Sequence, residues 1–227
     1  MPFLIIVVLL LLAIFGPQWW AASVLRRHSQ PREDFPGTGG EFARHLLSQF
    51  QLDDVKVEVT ERGDHYDPDS KSVRLTEDKL NGKSLTAVTV AAHEVGHAIQ
   101  HHLGYAPLQW RSRLVRLAQV AEKAGAGIMM VLPVVALLTR SPAAGAVTLV
   151  VGLGSMAVST IVHLVTLPVE WDASFGRALP LIRAGGYLNQ QDEKASRRIL
   201  QACALTYFAS SLASLLSVWR WLRMWRR

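Results

Sequence analysis

Two histidines four residues apart constrain this chain more than any other feature. His93 and His97 lie in the run His93-Glu94-Val95-Gly96-His97-Ala98-Ile99-Gln100-His101, which carries the pattern HExxH. Residues four apart share one face of a helix, so the two imidazoles can turn toward one ion. Glu94 then stands one position beyond the first ligand, where its carboxylate reaches water beside that ion. This is the zincin arrangement, with zinc as the metal and Glu94 as general base. Residues 84–92, SLTAVTVAA, are small and β-branched and lead directly into the motif. The plainer reading of the pair is two core or surface histidines on a membrane-protein helix. On the zinc reading the helix must form, and another part of the chain must bring it a third ligand.

Long apolar blocks set the expected fold class. Of 227 residues, 50% are hydrophobic and the formal charge is +6. Basic residues stand beside the apolar blocks, as Arg26-Arg27, Arg197-Arg198 and the arginine-rich C-terminus, which reads as anchoring at a membrane interface. A nucleic-acid partner would call for a basic soluble face, so that class is set aside. The single cysteine, Cys203, excludes an internal disulfide and a CxxC metal site. It lies in an apolar stretch and reads as a small packing residue.

The expectation is therefore a membrane α-helical protein with about four transmembrane helices and a small α+β zincin-like catalytic domain. Residues 1–22 form the first span, an uncleaved anchor with Trp19-Trp20 at the interface. Residues 23–123 form the catalytic domain. It opens on a Gly/Pro-rich connector, followed by a short amphipathic helix from Glu41 and a strand in which Val55, Val57 and Val59 alternate with polar residues. A turn-rich GDHYDPD stretch and a second strand over residues 71–76 complete a hairpin or small sheet. Gly104 and Pro107 close the motif helix, and residues 108–123 read as an amphipathic interfacial helix. Residues 124–168 supply the second and third spans, the second being short and containing Pro133. Residues 169–198 are hydrophilic, and 199–227 form the last span and a basic tail. An inner (plasma) membrane protein is expected, and arginine and lysine counts favour the motif on the cytoplasmic side, although the arginine-rich tail pulls the other way.

Two histidines do not complete a catalytic zinc site. No histidine follows Gly104 closely, so the longer HExxHxxGxxH continuation is absent. Glu170 and Asp172 stand where an apolar run meets polar sequence. Glu170 is the expected third ligand, and Asp172 is the expected partner of a ligand histidine. His163 is the alternative ligand, and the carboxylates could instead simply cap a helix end. His65, Tyr66 and Tyr207 are candidate donors to a developing oxyanion. Residues 72–76 could be an edge strand that pairs with an extended substrate.

Several stretches carry a family resemblance. They are Pro36-Gly37-Thr38-Gly39-Gly40-Glu41, Gly63-Asp64-His65-Tyr66-Asp67-Pro68, Ser84-Leu85-Thr86-Ala87, His93 to His101, Leu167-Pro168-Val169-Glu170, Asp172-Ala173-Ser174-Phe175 and Ala204-Leu205-Thr206-Tyr207. In this order they resemble the small bacterial membrane-bound neutral zinc metallopeptidases of the YugP type, over essentially the whole chain. The chain is also distantly similar to the HtpX-like membrane gluzincins, whose site faces the cytosol. The resemblance implies zinc held by His93, His97 and Glu170, with Glu94 as base. It departs at Ser174, where those gluzincins place a carboxylate, so Asp172 would have to serve from a different spacing.

The function expected is a zinc-dependent endopeptidase acting on peptide bonds of membrane or juxtamembrane proteins beside a lipid bilayer. A non-catalytic, zinc-stabilised membrane scaffold or quality-control adaptor is the alternative. A metal transporter is disfavoured, because the candidate ligands cluster outside the apolar cores.

Overall fold

The computed structural model describes residues 2–140 and 142–206. Helix α1 spans Pro2–Arg27 and α2 spans Gly39–Gln49. Three short strands follow, β1 Lys56–Val59, β2 His65–Asp67 and β3 Ser72–Leu75. Then come α3 (Glu77–Leu80), α4 (Leu85–His102), α5 (Ala106–Thr139) and α6 (Pro142–Trp171). A π-helix, Asp172–Ala178, continues α6 and passes into α7, Leu179–Ala184. Residues 190–206 are helical.

The core is built around α4. Every residue from Leu85 to Gln100 is buried. A helix enclosed on all sides cannot keep a polar face, and this explains why small and β-branched residues lead into the motif. Its start is fixed by two bonds to backbone donors that a helix leaves unpaired. Ser84 Oγ accepts from the Ala87 amide at 3.1 Å, and the His28 carbonyl accepts from the Thr86 amide at 3.1 Å. Thr86 Oγ1 also donates to the Leu25 carbonyl at 2.8 Å, which ties the end of α1 to the head of α4. At the other end Gly104 takes the left-handed conformation, φ 64°, and turns the chain toward α5.

Helix α2 packs on α4 and begins with a capping box. The Glu41 amide donates to Thr38 Oγ1 at 3.2 Å, and the Thr38 amide donates to Glu41 Oε2 at 2.8 Å. The sheet has the order β1-β3-β2, with β1 parallel and β2 antiparallel to β3. Val73 and Leu75 of β3 and Tyr66 of β2 are buried in the core. The third strand, β2, lies in the stretch read as turn. Because β3 is central, both its edges are paired, and the substrate-pairing role expected of residues 72–76 is excluded.

The expected four-span architecture is corrected. Among the described residues no helix is long and apolar enough to cross a membrane; what is found is a helical fold with one small sheet. A span needs about 20 consecutive apolar residues. The expected second span is the latter half of α5, one continuous helix whose first half carries Arg111, Arg113, Arg116 and Lys123. The stretch after Lys123 is shorter than a bilayer requires. The expected third span belongs to α6, which continues through Pro168 and delivers Glu170 to the core. The first belongs to α1, which runs past Pro17 and closes on Arg26-Arg27. Of the fourth, Ile199 and Leu200 are buried in the same core as α4, and residues 207–227 lie outside the described residues. The hydrophilic segment 169–198 contains the whole of the π-helix and α7, both of which pack against the motif helix.

Candidate metal centre

On α4 the imidazoles of His93 and His97 lie one turn apart, with ring centroids at 4.8 Å and planes inclined at 79°. Glu170, the penultimate residue of α6, enters between them. Its Oε2 is 3.2 Å from His93 Nε2 and 3.4 Å from His97 Nε2. The three side chains are buried, and one ligand atom from each lies within 4.8 Å of the others. No other such group of three occurs among the described residues.

The opposite ring nitrogens show what the cluster can hold. Gln100 Nε2 donates to the Val169 carbonyl at 2.9 Å and to Asp172 Oδ2 at 2.8 Å. With its amine end so committed, its Oε1 must accept from His97 Nδ1, at 2.9 Å. That bond puts the ring proton on Nδ1 and leaves the Nε2 lone pair facing Glu170. Arg177 Nε donates to Asp172 Oδ2 at 3.1 Å and steadies the carboxylate. On the other histidine, Nδ1 and Ser174 Oγ lie 3.1 Å apart, and with Nδ1 as the donor the Nε2 lone pair of His93 likewise faces Glu170. Two imidazole lone pairs and a carboxylate oxygen then converge, and acceptors so placed need positive charge between them. Glu170 Oε1 is also buried with no hydrogen-bond partner among the described residues. This donor set fits a divalent cation with nitrogen and oxygen preference, as zinc has.

Tertiary packing makes the convergence possible. Glu170 and Ser174 are four apart and both face α4. Gly96 lets the π-helix approach, because a Cβ there would lie 2.8 Å from the Ala173 carbonyl oxygen. A π-helix is a rare local form found often at functional sites, and here it begins two residues after Glu170.

Glu94 is buried beside the cluster. Burial pushes its carboxyl up to about 7, against the opposing pull of His93. Burial alone would raise Glu170 too, but its two neighbouring histidines outweigh it and hold its carboxyl below the ordinary range. Two adjacent carboxyls are thus set apart, one disposed to carry a proton and one to stay ionised.

The remaining candidates take other places. Asp172 reaches His97 only through Gln100. The Tyr66 hydroxyl pairs with His101 Nδ1 at 2.8 Å, and burial pushes it up to about 12. His65 Nδ1 donates to the Gly63 carbonyl at 2.8 Å. The side chain of His163 and all of Tyr207 lie outside the described residues. Gln100 and Ser174 were missed as partners of the ligands. A glutamine three residues after the second motif histidine, on an otherwise apolar buried helix, was the available signal for the first. The four-residue spacing from Glu170 was the signal for the second.

A buried His-His-Glu cluster on an HExxH helix, with a further glutamate at its side, defines a centre of the zinc-metallopeptidase class. The chain belongs to the family described as "Putative neutral zinc metallopeptidase", whose model matches residues 3–226. It is 36% identical over 222 residues to the "Putative membrane protease YugP" of Bacillus subtilis (strain 168), covering 94% of this chain and 93% of that protein. No solved structure matches. Zinc is the metal of this family, and His93, His97 and Glu170 form the site able to take it.

Proposed function

We propose that the chain is a zinc-dependent endopeptidase, with His93, His97 and Glu170 as ligands and Glu94 as general base. The observation that carries this reading is the buried Glu94 carboxyl beside three converging ligand atoms. When bound, zinc supplies a Lewis acid that polarises a peptide carbonyl and makes water more acidic. The chain's own residues do the rest. Gln100 and Ser174 keep both Nε2 lone pairs aimed at the cation. Glu94, with its carboxyl near neutrality, accepts a proton from the attacking water at one oxygen and returns it to the leaving amine. The surrounding core keeps bulk water from the reacting atoms, which strengthens each charge interaction there.

Peptide substrates follow from the family. The relative is named a membrane protease, and Met130, Leu137 and Leu138 of α5 are exposed apolar residues. Both support a site of action at a membrane surface, on membrane or juxtamembrane proteins. The test is Glu94→Gln in the full chain. Zinc content and fold should persist, while cleavage of labelled casein falls by about 10²–10⁴. Unchanged cleavage by Glu94→Gln would refute the general-base role.

A further inference from the structure

Helix α5 begins with a row of basic residues, in the stretch read as an amphipathic interfacial helix. The structure divides them. Arg113 stacks on Trp110, its guanidinium carbon 5.7 Å from the ring centroid, and Arg116 pairs with Asp69 at 3.3 Å. Arg111 instead turns into the metal centre. Its Nη2 is 3.8 Å from Glu170 Oε1, too long for a hydrogen bond but close enough for the charges to act on each other. Its Nε is buried and has no hydrogen-bond partner among the described residues. A buried donor is costly to leave without an acceptor, and each one in a native structure calls for an explanation, a catalytic role among them.

From this geometry we propose that Arg111 is a catalytic residue, donating from its guanidinium to the anionic oxygen that develops on the scissile carbonyl. The inference rests on the zinc-peptidase reading and completes it. As the water oxygen bonds to the carbonyl carbon, the carbonyl electron pair moves onto its oxygen, and the water proton passes to Glu94. The C–N bond then breaks, its electrons leave with nitrogen, and Glu94 returns the proton to the amine. Throughout, one oxygen carries negative charge and needs a fixed donor. A guanidinium stays charged at any working pH and presents several N–H groups in one plane. Glu170 holds Arg111 by charge without using its Nε, leaving that donor for the substrate. Among the described residues, the other candidates are engaged elsewhere: the Tyr66 hydroxyl pairs with His101, and His65 Nδ1 with the Gly63 carbonyl.

The experiment compares wild type, Arg111→Ala, Arg111→Lys and Glu94→Gln as full-length zinc-loaded proteins, with labelled casein as substrate and zinc affinity measured by chelator competition. Arg111→Ala should lower kcat about 10²–10³-fold, the usual loss for one oxyanion donor, with zinc affinity within twofold of wild type. Added guanidinium ion at millimolar concentration should restore part of the rate, and urea at the same concentration should not. Arg111→Lys keeps the charge and covers the case in which the alanine variant does not fold; it should retain more activity than alanine but less than wild type. A tenfold loss of zinc affinity in Arg111→Ala overturns the proposal, because Arg111 would then be positioning Glu170. An unchanged kcat overturns it as well. If wild type and Glu94→Gln cleave alike, the underlying peptidase mechanism has failed, whatever Arg111 does.

Discussion

Replacing Gly96 by alanine probes the contact on which the metal centre depends. On propensity alone the change is favourable, because alanine in a helix interior is preferred over glycine by about 1 kcal/mol. The added methyl, however, would lie 2.8 Å from the Ala173 carbonyl oxygen and 3.4 Å from Arg177 Cβ. The first contact is with backbone and cannot be relieved by a rotamer. Restoring an ordinary separation from 2.8 Å toward 3.4 Å means parting α4 from the π-helix by roughly half an ångström. Overpacking of this kind costs about 1–3 kcal/mol, so net destabilisation of the chelator-treated protein should be about 0–2 kcal/mol. The effect on metal should be larger. His93 and His97 lie on one side of this contact, while Glu170 and Ser174 lie on the other. A metal site tolerates ligand displacements of only about 0.2 Å, so zinc affinity should fall about 10–100-fold. Urea denaturation with chelator present gives the first quantity, and chelator competition gives the second. A variant stabilised by the full alanine gain, with zinc affinity unchanged, would refute the claim that Gly96 is needed for close approach.

Three further outcomes are expected. Gln100→Leu keeps most of the volume but frees His97 Nδ1 and leaves the Val169 carbonyl without its side-chain donor; zinc affinity should fall about 10–100-fold, read by the same competition. Thr38→Ala removes one half of the capping box on α2 and should cost about 1 kcal/mol in urea denaturation while leaving zinc affinity unchanged. Thr89 Oγ1 and Ser196 Oγ lie 2.7 Å apart and are buried, so Thr89→Val strands the serine hydroxyl and should destabilise by about 1–3 kcal/mol, with Thr89→Ser recovering part of the loss.

Much of the site was readable because helix geometry is local. The four-residue spacing of His93 and His97 needs only one regular helix. The two longer strands were legible from alternation at Val55, Val57 and Val59 and from Val73 and Leu75. Glu170 stood out by chemistry, because carboxylates where an apolar run meets polar sequence require a reason, and the structure brings it beside both motif histidines.

Other features had no local signature. His65 to Asp67 looks like turn until β3 offers it a partner, and the parallel pairing of β1 with β3 depends on where the chain returns. The apolar blocks show the limit most clearly. Small apolar residues around a buried helix and apolar residues facing lipid obey the same transfer energetics, so composition alone does not separate them. Packing separated them at Ile199 and Leu200, which cover α4, and at α6, which carries Glu170 into the core. Arg111 has the same explanation. Its spacing matches the polar face of an amphipathic interfacial helix, and only the approach of α5 to the end of α6 turns its charge toward Glu170. The sequence by itself thus determined the motif helix and the residue types able to complete a metal site on it. Tertiary structure decided which side chains hold those ligands in place, because orientation between elements distant in sequence is set by their packing.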